Sequence, residues 1–223
     1  MALRGEAVVR EQFHKELDRL RDELVEGTRL VETAMGRATT ALLNSDLAVA
    51  ESVIAADETL NALHRRLDDH AVELIARQQP VATDLRIIVA SLRISSDLER
   101  MGHLARHIAE LTRRRYPHSP VPPELRATIL QMGHTAQRVA AEAARAIASV
   151  DVRTAAGLEH EDDQMDELHR NLYEQLLDPS WCHGVQTAVD LSLAGRYYER
   201  FADHAVSIGR RVAYLAGKQA LDE

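Results

Sequence analysis

The chain has 223 residues, of which 45% are hydrophobic and 4% aromatic, and it carries a formal net charge of −8. The hydrophobic content excludes a disordered chain, and few aromatic residues beside many Ala, Leu, Arg and Glu favour helix over sheet. The negative charge argues against a general affinity for nucleic acid or for an anionic membrane surface. The length suits one large domain or two small ones.

Cysteine use and hydropathy bear on the compartment. Cys182 is the single cysteine, so an internal disulfide is impossible, which fits a reducing environment. Residues 1–6 include charged side chains and do not start a signal-peptide apolar core. No stretch approaches the roughly 18 uncharged apolar residues of a membrane span. We therefore expect a cytoplasmic protein without membrane insertion.

Six prolines divide the chain into long segments, because proline is excluded from helix interiors. Within these segments apolar residues recur at spacings of three and four, which predicts amphipathic helices. The expected helices run from about Val8 to Leu43, Leu47 to Gln78, Thr83 to Arg115, Glu124 to Ser149, Val152 to Leu177, and from the loop at 178–184 to about Ala216. The predicted fold class is all-α.

An internal repeat of about 100 residues organises these helices. Residues 97–105 (DLERMGHLA) and 197–205 (YYERFADHA) share an apolar-Glu-Arg-apolar-small core. Repetition at a fixed period indicates one unit built twice. We therefore predict two tandem three-helix bundles, with a first repeat over 1–116, a Pro-rich linker over 117–123 and a second repeat over 124–223.

Two helices of each predicted bundle carry a pair of polar side chains spaced four residues apart. Residues at i and i+4 lie one turn apart on one helix face, so facing pairs bring four such groups together. Carboxylate oxygens are hard ligands suited to Mg-, Mn- or Fe-type cations. The pairs are Asp57 with Asn61 and Glu99 with His103 in the first half, and Asp162 with Asp166 and Glu199 with Asp203 in the second.

Two other interpretations of these pairs stay open at this point. Glu199 and Asp203 lie about 100° and 140° from the apolar stripe of their helix, so they also suit a solvated face on a plain helical scaffold, whereas Asp57 falls on an otherwise apolar seam. A metal enzyme on a helical bundle, either a phosphohydrolase or a ferritin-like oxidoreductase, would use similar ligands. The Glu-x-x-His spacing of ferritin-like sites is absent from these pairs. The sequence also lacks an assembled catalytic constellation, which favours a protein that is not an enzyme.

Three motifs give the chain a strong resemblance to the PhoU family of phosphate-uptake and phosphate-signalling regulators. They are RQQPVATDLR at 77–86, DLERMG at 97–102 and ERFADHA at 199–205, and the resemblance covers essentially the whole chain. It implies two tandem three-helix bundles in a cytoplasmic protein that is commonly a homodimer. It also implies repression of the phosphate-starvation response and limited phosphate uptake when phosphate is plentiful. The implied partners are a phosphate ABC transporter and a sensor histidine kinase, which the protein would link.

The resemblance further implies metal clusters on acidic-x-x-x-Asp motifs, one motif on each of two helices per bundle. The second half keeps both motifs, Asp162 with Asp166 and Glu199 with Asp203. The first half departs from the pattern, because Asn61 and His103 stand where the motif has aspartate. Both are weaker ligands for hard cations, so we expect the site of the second bundle to be the stronger one.

Overall fold

The computed structural model describes the backbone of residues 2–222 and the side chains of residues 10–151 and 157–217. Within these residues the regular structure is six α-helices and one 3₁₀ turn, without strands, which confirms the predicted fold class. None of the described helices combines the length and the apolar character that crossing a bilayer requires. The helices are α1 (Ala2–Asn44), α2 (Leu47–Gln78), α3 (Ala82–Arg115), α4 (Arg126–Ser149), α5 (Val152–Leu176) and α6 (Gly184–Asp222).

The helix ends follow local chemistry. Asp46 caps α2 by accepting a hydrogen bond from the Val49 backbone N–H at 3.0 Å. At the other end Gln79 adopts a left-handed conformation, and Pro80 then prevents the helix from continuing. The predicted start of the fourth helix at Glu124 was early, because Pro123–Leu125 forms the 3₁₀ turn and α4 begins only at Arg126.

The two bundles, α1–α3 and α4–α6, are consecutive in sequence but lie side by side in space. Helix α1 packs against α4, and α3 packs against α6. A single hydrophobic core includes Met35 and Ile108 from the first bundle and Met132 and Phe201 from the second. The core therefore crosses the predicted boundary at 117–123, and the two halves stabilise each other by burying apolar surface together.

Glycines allow α1 and α4 to approach closely. A Cβ atom at Gly133 would lie 2.5 Å from Cγ2 of Thr39 on the facing helix. The Thr39 hydroxyl donates to the Met35 carbonyl at 2.9 Å and lies 2.8 Å from the buried Tyr198 hydroxyl. The missing side chain at Gly133 of α4 therefore leaves room for Thr39 of α1 and for its hydrogen bond to Tyr198 of α6.

We expect Gly133→Ala to lower the free energy of unfolding by about 2 kcal/mol, because the added methyl group overpacks the interface and displaces Thr39. Gly157→Ala is the matched control, since nothing lies within 4 Å of a Cβ atom there. That change is expected to stabilise the helix by about 0.5–1 kcal/mol. Urea unfolding followed by circular dichroism measures both, and equal effects of the two changes would contradict the close approach.

Helices α3 and α6 run antiparallel and are joined through the repeat motif. Asp97 of α3 is buried and accepts hydrogen bonds from His204 Nδ1 at 3.0 Å, Arg211 Nε at 3.1 Å and Ser207 Oγ at 3.2 Å. At the repeat-related place Tyr197 of α6 stacks on the His107 ring of α3, with centroids 5.1 Å apart. The two repeats therefore meet about an approximate two-fold axis, with a polar contact at one end and a ring contact at the other.

Burial acts to raise the pKa of Asp97, but hydrogen bonds and charge from His204 and Arg211 outweigh it and lower the pKa below its usual value. Because the pKa is lower in the folded protein, ionised Asp97 contributes stability at pH values above the pKa of the unfolded chain. That contribution is lost as the pH falls through the lower pKa of the folded protein. Asp97→Asn is expected to cost about 1–2 kcal/mol near pH 7, and less at acidic pH. Urea unfolding at the two pH values measures this, and an equal loss in the free energy of unfolding at both would contradict a charge-based role.

Candidate metal centre

The four acids of the second bundle lie beside the seam between α5 and α6. Met165 of α5 and Tyr198 and Phe201 of α6 are fully buried and fix the facing of the two helices. The acidic pairs occupy the next positions round each helix. Asp162 and Glu199 are half-buried, whereas Asp166 and Asp203 are exposed, so the cluster opens to solvent on its outer side.

The electrostatics of the cluster are those of crowded carboxylates. Burial, followed by the charges of Asp166, Asp203, Asp163 and Glu199, raises the pKa of Asp162 to about 6. Burial and the Asp203 charge likewise raise the pKa of Glu199, although Arg196 opposes the shift. Raised values of this kind arise when like charges share a site without an internal cation. The two half-buried acids, Asp162 and Glu199, therefore lie within the electrostatic influence of their acidic neighbours.

Two oxygen atoms of the cluster are buried without a hydrogen-bond partner, Oδ1 of Asp162 and Oε2 of Glu199. The other Glu199 oxygen, Oε1, accepts from Arg196, a side chain that is half exposed at the rim. Buried carboxylate oxygens without a donor are costly, and a hard cation is one partner that satisfies them. The chemistry of this donor set fits a divalent or iron-type ion.

Within the side chains that the structure describes, no three His, Cys, Asp or Glu residues are already arranged to hold a metal ion. The acids of the second bundle lie close enough for their charges to interact, but they do not form a coordination sphere. Metal binding at Asp162, Asp166, Glu199 and Asp203 stays a prediction.

In the first bundle three of the four predicted residues come together around an internal cation. Arg106 donates from Nη1 to Oδ2 of the buried Asp57 at 2.8 Å. Asn61 Nδ2 lies 3.5 Å from the same oxygen, and His103 Nε2 lies 3.3 Å from Asn61 Oδ1. The guanidinium thus neutralises Asp57 at the place where a metal ion was expected.

The fourth predicted residue of the first bundle, Glu99, contacts a different group. Its Oε2 lies 3.6 Å from Nε2 of His64, which is also 3.6 Å from Oδ2 of Asp68. Glu99 is therefore part of a His64-centred contact between α2 and α3. With Arg106 bound to Asp57 and Glu99 next to His64, the four predicted residues of the first bundle fit a metal ion poorly.

The sequence analysis did not identify Arg106, although its position in the repeat could have indicated it. It lies seven residues after Glu99 and hence on the same helix face, and the repeat-related position in the second half is Val206. His169 was also missed. Its Nε2 is buried without a hydrogen-bond partner, and burial, followed by the charge of Arg196, lowers its pKa. A comparison of the charges at repeat-related positions would have identified Arg106, because Val206 is its counterpart.

Two bundles side by side, with acidic pairs on facing helices of one of them, define a class of helical proteins built from a duplicated bundle. The PhoU domain matches this chain twice, at residues 24–112 and 129–212. The chain belongs to the PhoU family. The matched ranges place the two carboxylate motifs of the second bundle inside the second domain.

Similar proteins support the same assignment over nearly the full length. The chain is 44% identical over 208 residues to the phosphate-specific transport system accessory protein PhoU homolog 2 of Mycobacterium tuberculosis, covering 93% of this chain and 98% of that protein. It is 43% identical to PhoU homolog 1 of Mycobacterium leprae, covering 93% and 94%. The crystal structure of PhoU from Pseudomonas aeruginosa superposes with a TM-score of 0.83 at 29% identity, covering 91% and 98%.

Proposed function

We propose that this protein is a cytoplasmic regulator of phosphate homeostasis that works without catalysis. In high phosphate it represses the phosphate-starvation response and limits phosphate uptake, by linking a phosphate ABC transporter to a sensor histidine kinase. The supporting observation is the similarity, over 93% of the chain, to proteins named as accessory proteins of phosphate-specific transport. The side-by-side bundles offer long helical faces on which two partners can bind at once, and a homodimer is part of the proposal.

The second bundle is proposed to hold a hard cation between α5 and α6. Asp162 and Glu199 would supply the buried oxygens, and Asp166 and Asp203 the outer ones. A bound cation supplies positive charge that compensates four neighbouring carboxylates. Because those carboxylates repel one another without it, cation binding would tighten the contact between α5 and α6.

Gene deletion tests the regulatory role. Phosphate uptake and a reporter of the starvation response are measured in high phosphate in the wild type, in the deletion strain and after complementation. The proposal expects the deletion to switch the reporter on and the intact gene to restore repression. A reporter that stays off with normal uptake in the deletion strain would contradict it.

Complementation with Glu199→Ala plus Asp203→Ala tests the carboxylates in the same strain. Glu167→Ala plus Glu174→Ala is the matched control, because both residues are exposed acids on α5 outside the four-residue cluster. Loss of repression by the first pair alone assigns the cluster a regulatory role. If both variants repress the reporter as well as the wild type does, the cluster is an ordinary solvated helix face without a regulatory role.

Purified protein provides the biochemical part of the test. Elemental analysis is expected to find a bound divalent or iron-type metal that the Glu199→Ala, Asp203→Ala variant lacks. A phosphoester substrate is then added with Mn²⁺ or Fe²⁺. Saturable turnover would contradict a non-catalytic role and favour the metal-dependent hydrolase.

A further inference from the structure

A groove of about 620 Å³ lies between the N-terminal half of α3 and the C-terminal part of α6. None of the four acids of the cluster lines this groove. The groove adjoins the Asp97 contact, since Ser207 and Arg211 line the groove and also bind Asp97. Its walls are two antiparallel helices. Such a surface has the shape that a third helix fills.

Three of the residues that line the groove have large apolar side chains. Leu85 and Val89 of α3 are one helical turn apart, and Tyr214 of α6 lies across from them. Leu85 is 37% exposed and Tyr214 is 56% exposed. Large apolar side chains grouped in an exposed concave surface indicate an interaction site more often than scattered ones do.

Arginines also line the groove from both helices, Arg86 and Arg93 from α3 and Arg210 and Arg211 from α6. Four guanidinium groups in one groove stand out on a chain whose net charge is −8. Arg211 also binds Asp97 at 3.1 Å, which anchors one border of the groove to the interface between the bundles. Arg210 likewise lies 3.6 Å from Glu159 in an exposed pair, but none of the described residues that line the groove is an acid. The lining of the groove is therefore basic on a chain that is acidic as a whole.

The spacing of the arginines indicates the shape of the partner. Arg86 and Arg93 are seven residues apart on α3, which corresponds to about 10 Å along the helix. A single small anion would occupy only part of such a stretch, whereas an elongated acidic partner can meet arginines along its length. A second copy of this chain related by a two-fold axis through the groove would oppose one basic groove to another, which is unfavourable.

We propose that this arginine groove binds an amphipathic helix with an acidic polar face, contributed by a partner protein. The apolar face of that helix would cover Leu85, Val89 and Tyr214, and its acidic residues would meet the arginines. Charge complementarity would speed and direct the encounter, and the apolar contact would hold the complex. The inference rests on the proposed function only in that an adaptor requires such a partner segment.

The test uses purified full-length protein and a fluorescently labelled synthetic helix of about 16 residues. Leucines at i, i+3, i+4 and i+7 form its apolar face, and glutamates flank them. A matched peptide carries glutamine in place of every glutamate. Fluorescence anisotropy is expected to show binding of the glutamate peptide that weakens about tenfold or more between low and high salt, and little binding of the glutamine peptide.

Charge reversal locates the site. Arg93→Glu plus Arg210→Glu is expected to weaken binding of the glutamate peptide about tenfold or more, and Tyr214→Ala to weaken it through lost apolar contact. Arg29→Glu plus Arg170→Glu removes the same charge from exposed positions on α1 and α5 outside the groove, and should leave affinity within about twofold. Thermal unfolding confirms that each variant is folded.

Four results would overturn the proposal. They are no binding of the glutamate peptide, equal binding of the glutamine peptide, equal weakening by the groove and control reversals, and a wild-type dimer that the groove reversal dissociates. Phosphatidylglycerol vesicles and inorganic tripolyphosphate are tested in parallel, and reversal-sensitive binding of either in place of the peptide would assign the groove to a membrane or a small anion. Because these measurements use purified protein, their failure leaves the reporter experiment unaffected, and the reverse also holds.

Discussion

Asp162→Asn is expected to stabilise the cation-free protein near neutral pH while weakening its affinity for Mn²⁺. The variant removes a half-buried charge from a crowded carboxylate cluster, which relieves repulsion. Because the site is partly open to solvent, we expect a gain of only about 1 kcal/mol in the free energy of unfolding. The loss of affinity is expected to be of the order of 100-fold, since residues that merely support metal ligands already contribute about 10–100-fold.

The pH dependence of this stabilisation has a definite sign. The pKa of Asp162 is raised to about 6 in the folded protein, from an ordinary value of 3.8. The folded state therefore binds the proton more tightly than the unfolded state, so stability is highest below the ordinary value and falls as pH rises through about 6. Asp162→Asn should stabilise at about pH 7.5 and have little effect at about pH 4.

Urea unfolding in chelator at the two pH values measures the effect, and calorimetric titration with Mn²⁺ measures the affinity. Glu174→Gln is the control, because it neutralises an exposed acid on the same helix outside the cluster. An Asp162→Asn protein with unchanged stability at neutral pH and unchanged Mn²⁺ affinity would mean that the cluster is an ordinary solvated face.

Arg106→Val is expected to destabilise the protein by about 2–3 kcal/mol, because it leaves the Asp57 carboxylate buried without its cation. Asp57 has a side chain only 6% exposed, and the 2.8 Å contact from Arg106 supplies its compensating charge. Its other oxygen, Oδ1, is already buried without a hydrogen-bond partner. Arg100→Val, at an exposed position on the same helix, is the control and should change stability by less than about 0.5 kcal/mol.

A second substitution separates lost charge pairing from lost packing. If the unpaired charge causes the instability, Asp57→Asn in the Arg106→Val background should recover about 1 kcal/mol or more. Urea unfolding of the two single variants and the double variant forms a complete cycle. Additive losses without recovery would show that Arg106 acts through its aliphatic stem and not through its charge.

The two bundles thus differ in how the acids of the repeated motif are compensated. In the first, an arginine from α3 compensates the aspartate on α2. In the second, Val206 stands at the repeat-related position, and four carboxylates share a site at whose rim Arg196 pairs with Glu199. We expect the divergence to restrict cation binding to the second bundle, which the Mn²⁺ titration of Asp162→Asn also addresses.

The sequence by itself determined the helices and the duplication. Long segments between prolines, each with apolar residues at helical spacing, specify amphipathic helices whatever their neighbours are, because backbone hydrogen bonds in a helix are local. The motif at 97–105 and 197–205 likewise revealed the repeat, and the spacing of Asp162 with Asp166 and Glu199 with Asp203 identified the acidic pairs. These features depend on residues within one or two turns of each other.

Only the tertiary structure decided which long-range partners these side chains have. Periodicity placed Asp57 on an apolar seam, but it is the packing of α2 against α3 that brings Arg106 to it. The side-by-side arrangement, the Asp97 contact and the arginine groove all depend on α3 meeting α6 across about 110 residues of chain. Contacts of this range follow from how complete helix faces pack together, and side-chain spacing along a single helix carries no information about them.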